Sequence, residues 1–230
     1  MKKSYFLFWA LVLMLVPSVV AGENASNPFY IPDEPPETTI RANNLSFKPG
    51  SIFLKGNITA SRGTDLLTCQ RAILNKEPEW MLASVSPRLY RKESVAEKKA
   101  DRETTLDANN ILWSTKDGRL EASDSVTVTI EEKTWDSATY TKVLISGDYM
   151  EGFRESGNLR FSGNVKLNDK SRFGQGDNLD YHKASSTATL IGNARVETEK
   201  WNQKEKKMVK DIITGETITY NFDTKQANSE

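Results

Sequence analysis

The stretch LRFSGNVKLNDKSRFGQGDNLDY, residues 159–181, decides how this chain folds. Leu159, Phe161, Gly163, Val165 and Leu167 share one phase, while Arg160, Ser162, Asn164 and Lys166 share the other. A period of two puts successive side chains on opposite faces, so the stretch reads as a β-strand with one apolar and one wet face. A shorter element follows, GDNLDY at 176–181. It opens on a small residue and an acid, with an aliphatic residue fourth and an aromatic sixth.

Both elements recur. The long pattern returns as Leu190, Gly192, Ala194, Val196 and as Ile52, Leu54, Gly56, Ile58. It returns without glycine from Leu120 through Asp124, Val126 and Val128 to Ile130. The short pattern returns as ANNLSF (42–47), ANNILW (108–113) and GETITY (215–220). GDYMEG (147–152) displaces its aromatic to Phe153, and CQRAIL (69–74) is the weakest copy. Gly147 to Gly163, Gly176 to Gly192 and Ala108 to Asp124 are each 16 residues apart, and Ala42 to Gly56 is 14. KPGS (48–51) and TKDG (115–118) supply turns between the two elements. The unit is therefore a short strand, a tight turn and a longer strand, and such units stack over a continuous apolar interior. Glycine on the apolar phase weakens a strand unless a bend or close approach needs it. Here it permits strong coiling of the sheet, and bare backbone also leaves room for a guest.

The rest of the chain narrows the function. With 230 residues and 37% apolar content it can bury a sizeable core. Lys plus Arg and Asp plus Glu both number 31, which is no footprint for nucleic acid. The one cysteine, Cys69, forbids an intrachain disulfide and reads as a small apolar strand residue. His182 is the single histidine, too few for a typical zinc site, and no Ser/His/Asp order can be assembled. Glu131 and Glu132 fall on opposite faces of a strand, and the Gly-x-Gly of RFGQGD (172–177) is followed by no helix. No catalytic residue, metal or cofactor is assigned, and no enzyme activity is expected.

The start of the chain reads as an address. Lys2 and Lys3 precede the apolar run FLFWALVLMLV (6–16), Pro17 and the small residues SVVAG. This is the pattern of a signal peptide over 1–21, with cleavage expected after Ala21; the alternative is an uncleaved membrane anchor. Residues 22–39 form an acidic, proline-rich arm, 40–227 the repeat domain and 228–230 a tail. The polar stretches 91–103 and 200–211 read as solvated loops, and 75–104 as an insert in the repeat.

The unit, small–acid–x–aliphatic–x–aromatic followed by apolar–x–Gly-Asn–apolar, resembles the OstA-like repeat of periplasmic lipopolysaccharide-transport proteins. The best copies are GDNLDYHKASSTATLIGNARV (176–196) and GDYMEGFRESGNLRFSGNV (147–165). The resemblance implies an all-β fold, an elongated, twisted β-jellyroll of stacked antiparallel hairpins, open at its ends. It implies a non-enzymatic carrier in the periplasm that shields lipopolysaccharide, or a similar amphipath, between inner and outer membranes. The implied partners are jellyroll domains of the inner- and outer-membrane transport components. Alternatives are a membrane-anchored jellyroll subunit of the exporter and a structural or adhesive repeat protein.

The apolar phase nominates the groove lining: Ile52, Leu54, Ile58, Leu120, Val126, Val128, Leu159, Phe161, Val165, Leu167, Leu190 and Val196. Phe161 is the expected probe of the interior, with Arg160 facing out. GETITYNF (215–222) begins a unit whose long strand would fall past Glu230. That leaves Ile218, Tyr220 and Phe222 on an expected unpaired edge, facing Leu45 and Phe47 in the opening strand of another copy or a related jellyroll. A proline at Ile218 is expected to abolish this head-to-tail assembly and spare the monomer.

Overall fold

The computed structural model describes residues 37–229, apart from 76, 78, 115, 117, 137, 155, 171, 204 and 205. The signal-like segment 1–21, most of the arm at 22–39 and Glu230 lie outside the described residues. Alternation translates into strands throughout. The first are β1 (Thr39–Arg41), β2 (Asn44–Lys48), β3 (Ser51–Arg62), β4 (Asp65–Asn75) and β5 (Trp80–Ser84). Next come β6 (Arg88–Val95), β7 (Ala100–Asp107), β8 (Asn110–Ser114), β9 (Arg119–Thr134) and β10 (Tyr140–Phe153). The last are β11 (Leu159–Asp169), β12 (Arg172–His182), β13 (Thr187–Asn202), β14 (Lys207–Asn221) and β15 (Gln226–Ser229). All belong to one 15-stranded sheet, and from β9 onward each strand pairs antiparallel with the next.

The strands within 75–104 are part of this sheet. β5 and β6 lie end to end along β4, and β8 and β7 lie end to end along β9. Each pair is one long strand broken at a bend. β5 pairs β8 and β6 pairs β7, which closes the gap between β4 and β9. The polar stretches 91–103 and 200–211 are likewise hairpin arms, β6–β7 and β13–β14, with a 3₁₀ turn at Ala96–Lys98 in the first. In the first of these, Lys92 and Glu103 face water, whereas Arg91, Glu93 and Arg102 face the interior and pair there with other charged groups.

The bends explain the mid-strand glycines. Gly163 and Asn164 have φ of +76° and +50°, and Gly192 and Asn193 have +75° and +49°. The ladder slips at both pairs, between Ser162 and Val165 and between Ile191 and Ala194. Two consecutive left-handed residues turn the strand sharply, and glycine tolerates the first of them at no steric cost. A Cβ at Gly163 would stand 2.5 Å from Asp148 Oδ2, and one at Gly192 2.6 Å from Asp177 Oδ2. Those carboxylates accept from Asn164 Nδ2 at 2.7 Å and from Asn193 Nδ2 at 2.9 Å. The 16-residue spacing is thus a hydrogen bond between the small–acid pair of one strand and the Gly-Asn pair of the next. At Asp124 the pairing inverts: its carboxylate sits on the long strand and accepts from Asn110 Nδ2 at 3.0 Å.

Each bend folds the sheet back on itself. Tyr220 is in register with Ala188, and Ala188 with Tyr181, which puts Tyr220 about 10 Å from Tyr181. A straight β12 would hold Arg172 about 30 Å from Tyr181. Yet Arg172 Nη1 donates to the Tyr220 hydroxyl at 2.5 Å. The two halves of the bent sheet face each other, and their inner faces make the core, where Ile145, Met150, Phe161, Leu179 and Ile218 are wholly buried.

The C-terminal edge differs from expectation. Residues 226–229 return as β15 along Ile218–Asn221, so the final repeat has a short partner within the chain. Ile218 and Tyr220 are buried, and Phe222 packs edge-on against Tyr181 and Tyr220. Ile218 bonds in register on both sides, with Leu190 and Ser229, so a proline there would disturb the monomer itself. At this edge, residues 207–217 of β14 have a strand on one side only.

Candidate functional site

The twelve apolar-phase residues all lie on the inner face. Leu54, Ile58, Val126, Val128, Phe161, Val165, Leu167, Leu190 and Val196 are buried, and Ile52, Leu120 and Leu159 are half-buried against them. Most are packed tightly side by side. A narrow cleft with a free interior of about 60 Å³ lies where the two halves part. Leu120, Val128 and Leu159 from the sequence-derived set line it, together with Leu89, Leu106, Trp113, Ile130, Met150 and Tyr181. Trp113, Tyr181 and Met150 were legible in principle: they are the aromatic sixth positions of ANNILW and GDNLDY and the aliphatic fourth of GDYMEG.

The mouth of the cleft is charged: Asp65, Arg91, Glu93, Arg102, Arg154 and Lys183 rim it. Asp65, with a side chain 1% exposed, accepts from Arg91 Nε at 2.5 Å and Nη2 at 3.0 Å, and pairs with Arg154 Nε at 3.0 Å. Burial works against the Arg91 charge, but Asp65 outweighs it and holds the guanidinium proton more tightly than usual. Glu93 holds Lys183 Nζ at 2.6 Å, and Arg102 Nη2 pairs with Glu132 at 2.8 Å. Burial pushes the Tyr181 phenol up, so it lines the cleft as a neutral hydrogen-bonding group. Cys69 is buried in β4, and its thiol is pushed up to about 11 by that burial. Among the described residues no group of three or more His, Cys, Asp or Glu is placed to hold a metal ion. His182 is exposed at the end of β12.

A folded-over sheet, apolar inside and charged at its lip, suits a guest with tails and a polar head. The sequence profile of the family described as LptA/(LptD N-terminal domain) LPS transport protein matches residues 39–226. This chain belongs to that family. The LptA/LptD family is one of lipopolysaccharide-transport proteins, not enzymes. A search of curated protein sequences found no match. Among solved structures, the chain is similar to LptH of Pseudomonas aeruginosa, the LptA-homologous periplasmic component of the lipopolysaccharide transport device. The identity is 9% and the TM-score 0.30, over 76% of this chain and 94% of that one.

The residues nominated for head-to-tail contact divide by position. Leu45 and Phe47 are in register with inward Leu54 and Ile52, yet they are 56% and 75% exposed. They form an uncovered extension of the inner face at the N-terminal edge. Their nominated counterparts Ile218, Tyr220 and Phe222 are core, as described above.

Proposed function

We propose that this protein is a non-enzymatic periplasmic carrier that shields the acyl chains of lipopolysaccharide between the two halves of its bent sheet, on the way from inner to outer membrane. The cleft rimmed by Arg91, Glu93, Arg154 and Lys183 is the observation that carries this reading: it opens directly onto the apolar inner face. Each methylene exposed to water costs about 0.8 kcal/mol, so a chain of roughly a dozen costs about 10 kcal/mol to carry unshielded. Rows of similar apolar side chains, repeated from hairpin to hairpin, offer rungs of similar depth and no deep trap. Jellyroll domains of the membrane-bound transport components, or a second copy, add at the N-terminal edge, where Leu45 and Phe47 continue the inner face without cover. Cleavage after Ala21 delivers the chain to the periplasm, and the mass of the mature N-terminus tests that step against a retained anchor.

The test is retention. The mature protein is mixed with purified lipopolysaccharide, separated from micelles by gel filtration and assayed for 3-hydroxy fatty acids. Lipid eluting with the protein supports the reading. A protein peak free of fatty acid at saturating lipid refutes it.

A further inference from the structure

The hairpin ends of the bent sheet form two rims that meet along a seam, and charged bridges cross it. Arg154, in the turn after β10, reaches Asp65 at the start of β4 at 3.0 Å. Lys183, in the turn after β12, holds Glu93 of β6 at 2.6 Å. Lys98, in the turn after β6, donates to Asp223 at 2.7 Å and to Ser186 Oγ at 3.1 Å. Beneath the bridges the seam is hollow on both sides of Arg102 and Tyr181. The cleft described above lies toward Arg154, and a second of equal free volume, about 60 Å³, lined in part by Ile130, Val143 and Phe222, lies toward Asp223.

We propose that this seam is a phosphate ladder: Arg154, Lys183 and Lys98 take the phosphates of the lipid's headgroup while its tails enter the clefts below. The proposal rests on the carrier reading. Three features argue for it. The mouth of the first cleft carries four cations, Arg91, Arg102, Arg154 and Lys183, against Asp65, Glu93 and the Glu132 that pairs with Arg102, which leaves one positive charge in excess for an anion. Asp65 is shared between two guanidiniums, and its bidentate partner Arg91 can keep it while Arg154 is released. The crossing cations are part-exposed, with side chains 25% to 31% accessible, and ion pairs of that kind are weak enough to exchange for a phosphate oxygen. Each seam carboxylate then stands in for a phosphate in the empty protein and keeps the cation in place.

Glu93 and Lys183 make the decisive test, because either substitution breaks the same bridge. A photo-crosslinker at Leu120 in the full mature chain is challenged with subsaturating lipopolysaccharide. Lys183→Gln lowers labelling on the order of tenfold, the weight of one charge-assisted hydrogen bond, whereas Glu93→Gln raises it. Lipid stripped of its phosphates labels all three proteins alike, and equimolar inorganic phosphate does not compete, since it lacks tails. Lys98→Gln against Asp223→Asn repeats the comparison on the second cleft with a crosslinker at Val143. Shifts of the same sign in both members of a pair, equal shifts with the stripped lipid, or full competition by inorganic phosphate overturn the ladder and leave the carrier standing. Absence of labelling in the unsubstituted protein removes the carrier reading, and the ladder with it.

Discussion

Asn164 Nδ2 donates to Asp148 Oδ2 at 2.7 Å, across the corner where β10 and β11 bend together. The bond ties the acid of one strand to the left-handed residue of the next, and it fits only because Gly163 has no side chain. Gly163→Ala should cost about 2 kcal/mol, from a left-handed alanine pressed against that carboxylate. Asp148→Ala should cost about 1 kcal/mol for the lost hydrogen bond. The double variant should cost less than the sum, since removing the carboxylate relieves the clash. Urea unfolding of the four proteins checks this.

Packed core and cleft wall should respond differently to truncation. Phe161 is wholly buried, so Phe161→Ala should cost about 3–5 kcal/mol. Leu159, half-buried at the cleft, should cost about 1 kcal/mol or less when cut to alanine, because little cavity is made. Thermal melts of the two variants give the comparison. A charge at Phe161 would report on folding rather than on lipid, which makes Leu159 the better probe of the groove.

Tyr220 should make stability fall at high pH. Its hydroxyl accepts from Arg172 and donates to Asp169 Oδ2 at 3.0 Å. Burial first, and then the Asp169 charge, push its pKa from 10 up to about 12. The folded chain keeps this proton at a pH where the unfolded chain has lost it. Its contribution is therefore complete below pH 10 and is lost as pH rises toward 12, by about 2–3 kcal/mol in all. Tyr220→Phe should be less stable at pH 8 and should show a shallower decline between pH 9 and 11, measured by urea unfolding at each pH.

Cys69 should be silent until the protein unfolds. Burial pushes its thiol from 9 up to about 11, so the thiolate at pH 8 is about a hundredfold scarcer than for a free cysteine. Reaction with a disulfide dye should be at least that much slower in buffer than in concentrated urea. Fast labelling of the folded protein would contradict the placement of β4.

Much of this fold is written in the sequence, and the exceptions have physical causes. Strand phase is legible because period two is fixed by the pleat, so Leu159 through Leu167 could only face one way. The bends at Gly56, Gly163 and Gly192 are legible because glycine marks them. Val85 and Ser86 make the same left-handed bend with φ of +62° and +57°, and without glycine as a signal β5 and β6 read as an insert. The β13–β14 hairpin read as a loop because 199–202 pair only with β14, and Trp201 and Met208 stay exposed there among charged neighbours, without a buried phase to mark the strands. β15 is four residues with only Ala227 apolar, too short to show a pattern. The seam could not be read at all: Lys98 and Asp223 are 125 residues apart, and only the folding back of every strand brings them together.

The central claim is that tails lie inside the bent sheet and nowhere else. Photo-crosslinkers at adjacent Leu159 and Arg160 test it most directly, since the first lines the cleft and the second faces outward toward Asp180 at 2.8 Å. Lipopolysaccharide labelled from 159 and not from 160 is the predicted result. Equal labelling from both, or labelling from 160 alone, would contradict it.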